Sequence, residues 1–281
     1  FKESYMKVYG RTNLMIKKKQ LLIEKAAENV RDECGVNDYG IQNIFEAAEK
    51  IGYRVIRYPV DSDSLLGFAL YRDSDRIVFS NSSQVLSREI FSIAHEIGHH
   101  KLHISEQENA VIKDDDFFER DESEVEANYF AACLLMPQDK VEKYIRFELN
   151  DKSVSRWNGL DIARFQTAFN VSYDMTLIRL KALNIIDESI VERLKIDKVE
   201  NTATKLLAAI SGNSDLCKPA GVKKVPAEYL EWVISNYNDN LIPKESLKTA
   251  LNYVDLDAND FENPEEMIED DNIEDLLKGM D

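Results

Sequence analysis

Apolar residues recur at helical spacing in several stretches of this chain, and a short region of different character separates them. The spacing predicts a first helix over Leu14–Cys34, which Gly35 would end, and a second helix over 41–52. The pattern then changes to three short runs of β-branched and aromatic residues, which are typical of strands. The residues DSD between the second and third runs indicate a hairpin. The predicted strands are residues 53–60, 66–72 and 76–82.

Helical spacing returns at Ser87 and continues to His103. An acidic loop, 114–116, separates it from a helical stretch at 121–137, which Pro137 would end. Shorter helices are expected around the turn FNVS from residue 159 onward, and 225–252 is again helical in pattern. A small sheet followed by many helices predicts the α+β class.

The composition is that of an ordinary globular protein. With 281 residues, of which 44% are hydrophobic, the chain can bury a sizeable core without disulfides. Cys34, Cys133 and Cys217 lie far apart and form no CxxC motif, which indicates reduced thiols. No apolar run is long enough to cross a bilayer, and the opening FKESYMKVYG lacks the apolar segment of a secretion signal. We therefore expect a cytoplasmic protein without membrane association.

Negative charge is concentrated at the end of the sequence. The net charge is −17, and residues 255–281 carry twelve acidic residues and one lysine. Such a segment would repel the phosphate backbone of a nucleic acid. It is interpreted either as a solvated tail that aids solubility or as a docking or autoinhibitory segment for a basic partner.

All four histidines of the chain lie within nine residues, in the sequence HEIGHHKLH. On a helix, His95 and His99 are about 40° apart around the axis and about 6 Å apart along it, so one metal ion can bridge them. Glu96 would then lie where its carboxylate can take a proton from water at the metal. A surface helix with incidental histidines is the alternative, but the apolar lead-in FSIA favours burial and hence a metal site.

The other two histidines do not suit the same ion. His103 would lie about 12 Å from His95 along a straight helix, whereas zinc–nitrogen bonds are about 2.1 Å long. His100 points about 100° away from His99, so we expect it at the surface or at the rim of the site.

The third ligand should therefore be an acid or a cysteine from elsewhere. The helix over 122–136 places Glu124, Asn128, Ala131 and Leu135 on one face, which could pack against the histidine helix. Asn128, one turn beyond Glu124, could hold a ligating side chain in place. Spacing alone leaves Glu122 and Glu126 open as alternatives.

The two motifs together closely resemble the ImmA/IrrE family of metallopeptidases. FSIAHEIGHHKLH, preceded by RIVFSNSSQVLSREI and followed about 20 residues later by ESEVEANYFAACLLMP, carries the resemblance. It covers roughly 41–137 and extends to about residue 187 through a helix-turn-helix-like segment. The resemblance implies a zincin-like metallopeptidase core, made of a small three-stranded sheet and the active-site helices.

The resemblance also implies roles for single residues. His95, His99 and Glu124, the first glutamate of the ExEAN pattern, would bind Zn²⁺, and Glu96 would be the general base. His103 would lie near the cleft and contact substrate or transition state without being a ligand.

Members of the family typically cut a helix-turn-helix repressor. The resemblance therefore implies a zinc metalloprotease whose protein substrate is such a repressor, and whose hydrolase activity relieves repression of a mobile element or a stress response. The predicted organisation is an N-terminal helix (1–35), the zinc metallopeptidase core (36–145), a helix-turn-helix-like segment (146–195), a C-terminal helical region (196–254) and an acidic tail (255–281).

Three alternatives stay open at this stage. The protein could be a metal-dependent regulatory protein that sequesters a repressor without cutting it. Residues 159–187 could bind DNA, but five basic and three acidic residues in 151–185 make a weak excess, which argues against direct DNA binding. The strand RIVFS could be an edge strand that pairs with substrate or a plain core strand.

Overall fold

The structure, a computed structural model, describes residues 17–62, 65–72, 75–103, 117–257 and 261. The chain forms two compact units, residues 1–222 and 223–281. The first unit combines a small mixed sheet with helices, so the predicted α+β class is confirmed. The predicted division into five segments stays a prediction.

The sheet has three strands in the order β1–β3–β2: β1 Tyr53–Tyr58, β2 Gly67–Arg72 and β3 Asp75–Asn81. Strand β3 pairs in parallel with β1 and antiparallel with β2. The hairpin prediction agrees with this pairing, although residues 73–74 of its turn lie outside the described residues. Because β3 is paired on both sides, the hypothesis that RIVFS is an edge strand is wrong. The two edge strands are β1 and β2.

Five helices precede residue 148 among the described residues; the first four correspond to predicted helices with different ends, and the fifth was not predicted. They are α1 Lys17–Glu33, α2 Ile44–Lys50, α3 Leu86–Leu102, α4 Phe117–Leu135 and α5 Gln138–Phe147. The predicted start of α1 at Leu14 lies outside the described residues. Helix α2 begins later than predicted because the side chain of Asn43 accepts a hydrogen bond from the backbone of Glu46, which caps the helix.

Helices α3 and α4 pack closely where Gly98 faces α4. A Cβ at Gly98 would lie 3.0 Å from Cδ1 of Phe130 and 3.2 Å from Cα of Ala127. On this part of α4, the small residues Ala127, Ala131 and Ala132 are fully buried. This close approach brings the histidine-bearing face of α3 to α4.

Gly98→Val is expected to lower the free energy of unfolding by about 2 kcal/mol, because the added carbons must push the two helices apart. Urea unfolding of the metal-free protein measures this. Ala208→Val, at an exposed helical position, controls for the helix propensity of valine, which costs about 0.5 kcal/mol. Equal losses in the two variants would show that the helix contact tolerates a larger residue.

A buried ion pair fixes the start of α3 to the sheet. The guanidinium of Arg57 on β1 donates to both carboxylate oxygens of Glu89, at 2.7 and 2.8 Å, and the hydroxyl of Ser80 on β3 donates to the same carboxylate at 2.8 Å. Glu89 is only 1% exposed, and the guanidinium also lies 3.7 Å from the centre of the Phe45 ring. The helix that carries the histidines is thus anchored to two strands.

Arg57→Met is expected to destabilise the protein by about 3 to 5 kcal/mol, because it leaves the carboxylate of Glu89 buried without its cation. Lys25→Met is the matched control, since Lys25 pairs with Glu28 at the surface, where both side chains are more than 60% exposed, and such pairs contribute less than about 1 kcal/mol. Urea unfolding distinguishes the two. A similar small loss in both variants would contradict an anchoring role.

The helix-turn-helix-like segment belongs to the core of the first unit. It comprises α6 Gly159–Phe169 and α7 Tyr173–Ala182, and α8 Glu188–Asn201 and α9 Ala203–Ala209 follow. Most side chains of α7 are buried. Its Arg179 donates to the carbonyl of Met136 at 2.9 Å, and the hydroxyl of Tyr173 donates to the carbonyl of Leu194 at 2.8 Å. The helix that would enter a DNA groove therefore faces the protein interior, which argues further against the DNA-binding alternative.

The last residues of the first unit return to the start of α3. Val85 forms a β-bridge with Pro219, the backbone N–H of Leu86 donates to the carbonyl of Lys218 at 2.8 Å, and the hydroxyl of Ser82 donates to the carbonyl of Val222 at 2.6 Å. Residues 218–222, which lie beyond the histidine and ExEAN motifs, thus also hold the start of α3 in place.

The second unit contains α10 Ala227–Asn238 and α11 Lys244–Asn252. Its small apolar cluster centres on Leu247 and Leu251. The predicted helical stretch 225–252 is thus two helices, because Pro243 precedes α11 and cannot continue a helix from before it. Residues 258–260 and 262–281 of the acidic tail lie outside the described residues. Among the described helices, none combines the length and apolarity needed to cross a bilayer.

Candidate metal centre

Three of the predicted site residues meet between α3 and α4. The Nε2 atoms of His95 and His99, one turn apart on α3, are 2.9 Å apart. Glu124 on α4 places one carboxylate oxygen 3.3 Å from Nε2 of His95 and the other 3.1 Å from Nε2 of His99. These three side chains form a group with one donor atom each within 4.8 Å of the others.

The spacing of these donors suits a zinc ion. Tetrahedral zinc with bonds of about 2.1 Å holds its ligand atoms about 3.4 Å apart. The observed separations of 2.9 to 3.3 Å are close to that value. Two imidazole nitrogens and one carboxylate oxygen are also a donor set that zinc accepts at catalytic sites. The residues present therefore fit the ion that the sequence predicts.

The structure separates the three acids that spacing left open. Glu124 alone of the three contacts His95 and His99. Glu126 is buried and contacts His103 and Lys19. Glu122 is exposed, and its carboxylate accepts a hydrogen bond from Lys19 at 2.8 Å.

The electrostatics of the three donors are coupled. Burial alone would raise the pKa of Glu124, but hydrogen bonds from the two imidazoles hold that pKa well below its ordinary range. Burial lowers the pKa of His99. For His95, burial acts in the same direction, yet the carboxylate of Glu124 raises the pKa overall. Glu124 is thus ionised, as a metal ligand must be.

Glu96 lies in an environment that suits a general base. It is 8% exposed, and burial raises its pKa to about 7, aided by the negative charge of Glu124 and opposed by His95 and by a backbone hydrogen bond from Ala69. A carboxyl with a pKa near neutrality can both accept and release a proton under physiological conditions.

Strand β2 runs beside Glu96, and sequence reasoning missed this. A Cβ added at Gly67 would lie 2.8 Å from the carbonyl oxygen of Phe79 and 3.6 Å from Oε1 of Glu96. The signal was present in the sequence, because a glycine within a strand often marks a close approach of another group to the backbone. The edge strand near the proposed base is therefore β2, not the RIVFS strand.

The two residues predicted to support the site lie close to it. His103 ends α3, and its Nδ1 is 3.1 Å from Nδ1 of His99, on the side of that ring away from Glu124. Asn128 donates from Nδ2 to the backbone carbonyl of Glu124, one turn earlier, at 2.7 Å. Their roles stay predictions.

The expected position of His100 was wrong. The residue is buried, and its ring packs edge-on against Tyr53 with ring centres 5.2 Å apart. Burial lowers its pKa to about 4, so the imidazole is neutral near pH 7. Helix α3 is covered by the sheet as well as by α4, and the direction 100° away from His99 therefore faces protein, not solvent.

Comparisons with known proteins agree with the motifs. The family described as Peptidase M78, IrrE N-terminal-like domain, matches residues 48–181, which include His95, Glu96, His99 and Glu124. The chain is also 30% identical over 125 residues to a protein of Bacillus phage phi105 named "Uncharacterized immunity region protein 2". That similarity covers 44% of this chain and 78% of the phage protein.

Proposed function

Because this chain belongs to the peptidase M78 family, with its IrrE N-terminal-like domain, we propose that it is a zinc-dependent endopeptidase that cleaves a helix-turn-helix transcriptional repressor. The observation that carries the proposal is the meeting of His95, His99 and Glu124 beside a buried Glu96. Cleavage would relieve repression of a mobile element or a stress response.

His95, His99 and Glu124 would hold the zinc ion. When bound there, zinc acts as a Lewis acid toward water and toward the carbonyl of the peptide bond. Glu96 takes a proton from the attacking water and passes it to the nitrogen of the leaving amine, so that water is added across the broken C–N bond. Burial raises the pKa of Glu96, which makes its carboxylate a stronger base than an exposed one.

The edge strand β2 supports the binding of an extended peptide. Among the described strands β2 pairs only with β3, which leaves its other edge open to an added strand. Gly67, at its start, adjoins the carboxylate of Glu96. A substrate segment that pairs with β2 would therefore run close to the proposed base.

The choice of a repressor as substrate has two supports. The motifs resemble those of peptidases that cut helix-turn-helix repressors, and the phage relative carries a name that refers to an immunity region. Both fit a protein that acts on a regulator of gene expression.

The alternative is a metal-dependent protein that sequesters the repressor without cutting it. Glu96 argues against it, because a site that only holds a metal has no need of a buried carboxylate without a cationic partner. Among the described residues, no lysine or arginine forms an ion pair with Glu96. Buried, perturbed acids of this kind are typical of catalytic sites.

The experiment is metal analysis together with incubation with a candidate helix-turn-helix repressor from the same organism. We expect one zinc per chain and two repressor fragments, with no fragments after chelation. A repressor that stays intact but no longer binds its operator DNA would favour the sequestration alternative.

A further inference from the structure

A chain of hydrogen bonds leads from the candidate metal centre into the packing between α3, α4 and α1. Nδ1 of His99 is 3.1 Å from Nδ1 of His103. Nε2 of His103 is in turn 3.2 Å from Oε2 of Glu126. The other carboxylate oxygen of Glu126 contacts the ammonium of Lys19 on α1.

The protonation states along this chain are mutually consistent. If Nε2 of His99 binds the metal, the proton of that ring lies on Nδ1 and is donated to Nδ1 of His103. The proton of His103 must then lie on Nε2, where it is donated to the carboxylate of Glu126. Every donor in this series of hydrogen bonds meets an acceptor, so the series fixes the tautomers of both imidazole rings.

Burial distinguishes Glu126 from its neighbour on the helix. The side chain of Glu126 is 8% exposed and that of Glu122 is 69% exposed, although both contact Lys19. A buried carboxylate held by a lysine on one oxygen and a histidine on the other is a rigid acceptor. Lys19 also lies outside the residues 48–181 that match the family.

We propose that Glu126 is a positioning residue of the metal centre, which orients His99 through His103 and is itself held by Lys19 of helix α1. The inference rests on the proposed function, since it assumes that His99 binds zinc. It assigns the N-terminal helix a part in the metal site. Carboxylates that hold a ligating histidine typically contribute ten- to a hundredfold to metal affinity.

The test compares the zinc affinity of full-length variants by competition with a chromogenic chelator. Glu126→Gln is expected to weaken zinc binding ten- to a hundredfold, whereas Glu122→Gln leaves it unchanged. Adding Glu126→Gln to His103→Ala should cause no further loss of zinc affinity, because both residues act on His99 through the same hydrogen bonds. The visible absorption of the cobalt-substituted protein should change in Glu126→Gln and not in Glu122→Gln, and a merely structural role would not produce that difference.

Lys19→Met provides a second variant should Glu126→Gln fail to fold. We expect it to weaken zinc binding several-fold relative to Lys25→Met, a lysine on the same helix that pairs with Glu28 at the surface. The positioning role would be overturned if Glu126→Gln bound zinc as tightly as Glu122→Gln and Lys19→Met as tightly as Lys25→Met. The proposed function would then still stand. A wild-type protein that binds no zinc would overturn the proposed function itself, and this inference with it.

Discussion

Glu96→Gln is expected to reduce repressor cleavage by roughly 10²- to 10⁴-fold while zinc remains bound. The amide has nearly the shape of the carboxylate but cannot take a proton from water. His95, His99 and Glu124 are untouched by the change, so the metal content should stay at one zinc per chain. Fragment release in single-turnover assays and metal analysis of the same sample measure the two quantities.

Glu122→Gln is the matched control for this substitution, because it makes the same chemical change at an exposed position on α4. It should cleave at the wild-type rate. Undiminished cleavage by Glu96→Gln would refute the role of Glu96 as the base. A loss of zinc in that variant would instead indicate that Glu96 helps to hold the metal.

Glu124→Ala is expected to weaken zinc binding by on the order of a hundredfold or more, because it removes one of the three proposed protein ligands and the only anionic one among them. Cleavage should disappear with the metal. Glu122→Ala, two residues earlier on the same helix, should bind zinc as tightly as the wild type.

Competition with a chelator measures both affinities. The contradictory result is a Glu124→Ala protein that binds zinc like the wild type. Such a result would require the third ligand to be another group, since neither Glu122 nor Glu126 contacts His95 or His99 in the structure.

Much of the site could be predicted because its signals are local in the sequence. The helical repeat of four residues places His95 and His99 on one face, and the same repeat on the next long helix identifies a face with Glu124. The small side chains of Ala127, Ala131 and Ala132, which follow Glu124 in the sequence, favour a close helix contact. These arguments need only the geometry of single helices, whereas the choice of Glu124 over Glu122 and Glu126 came from the family resemblance.

The sheet order could not be predicted in the same way. Strand β3 has the apolar pattern of either an edge or a central strand, and only its pairing with β1, which lies earlier in the chain, makes it central. The proximity of β2 to Glu96 follows from that order. Pairing between distant segments leaves little trace in a single sequence.

The sequence also did not predict that more than one face of helix α3 is buried. His100 was expected at the surface because it points away from His99, yet the sheet covers that side of α3. The contact of Lys19 with Glu126 joins residues more than 100 positions apart. Both features depend on how elements pack, which helical periodicity does not determine.

The most direct test of the central claim is the mass spectrum of the repressor after incubation with the zinc-loaded protein. The account predicts two fragments whose masses sum to that of the intact repressor plus one water, and neither fragment with Glu96→Gln. A repressor that retains its full mass while it binds the zinc-loaded protein and leaves its operator would contradict the account.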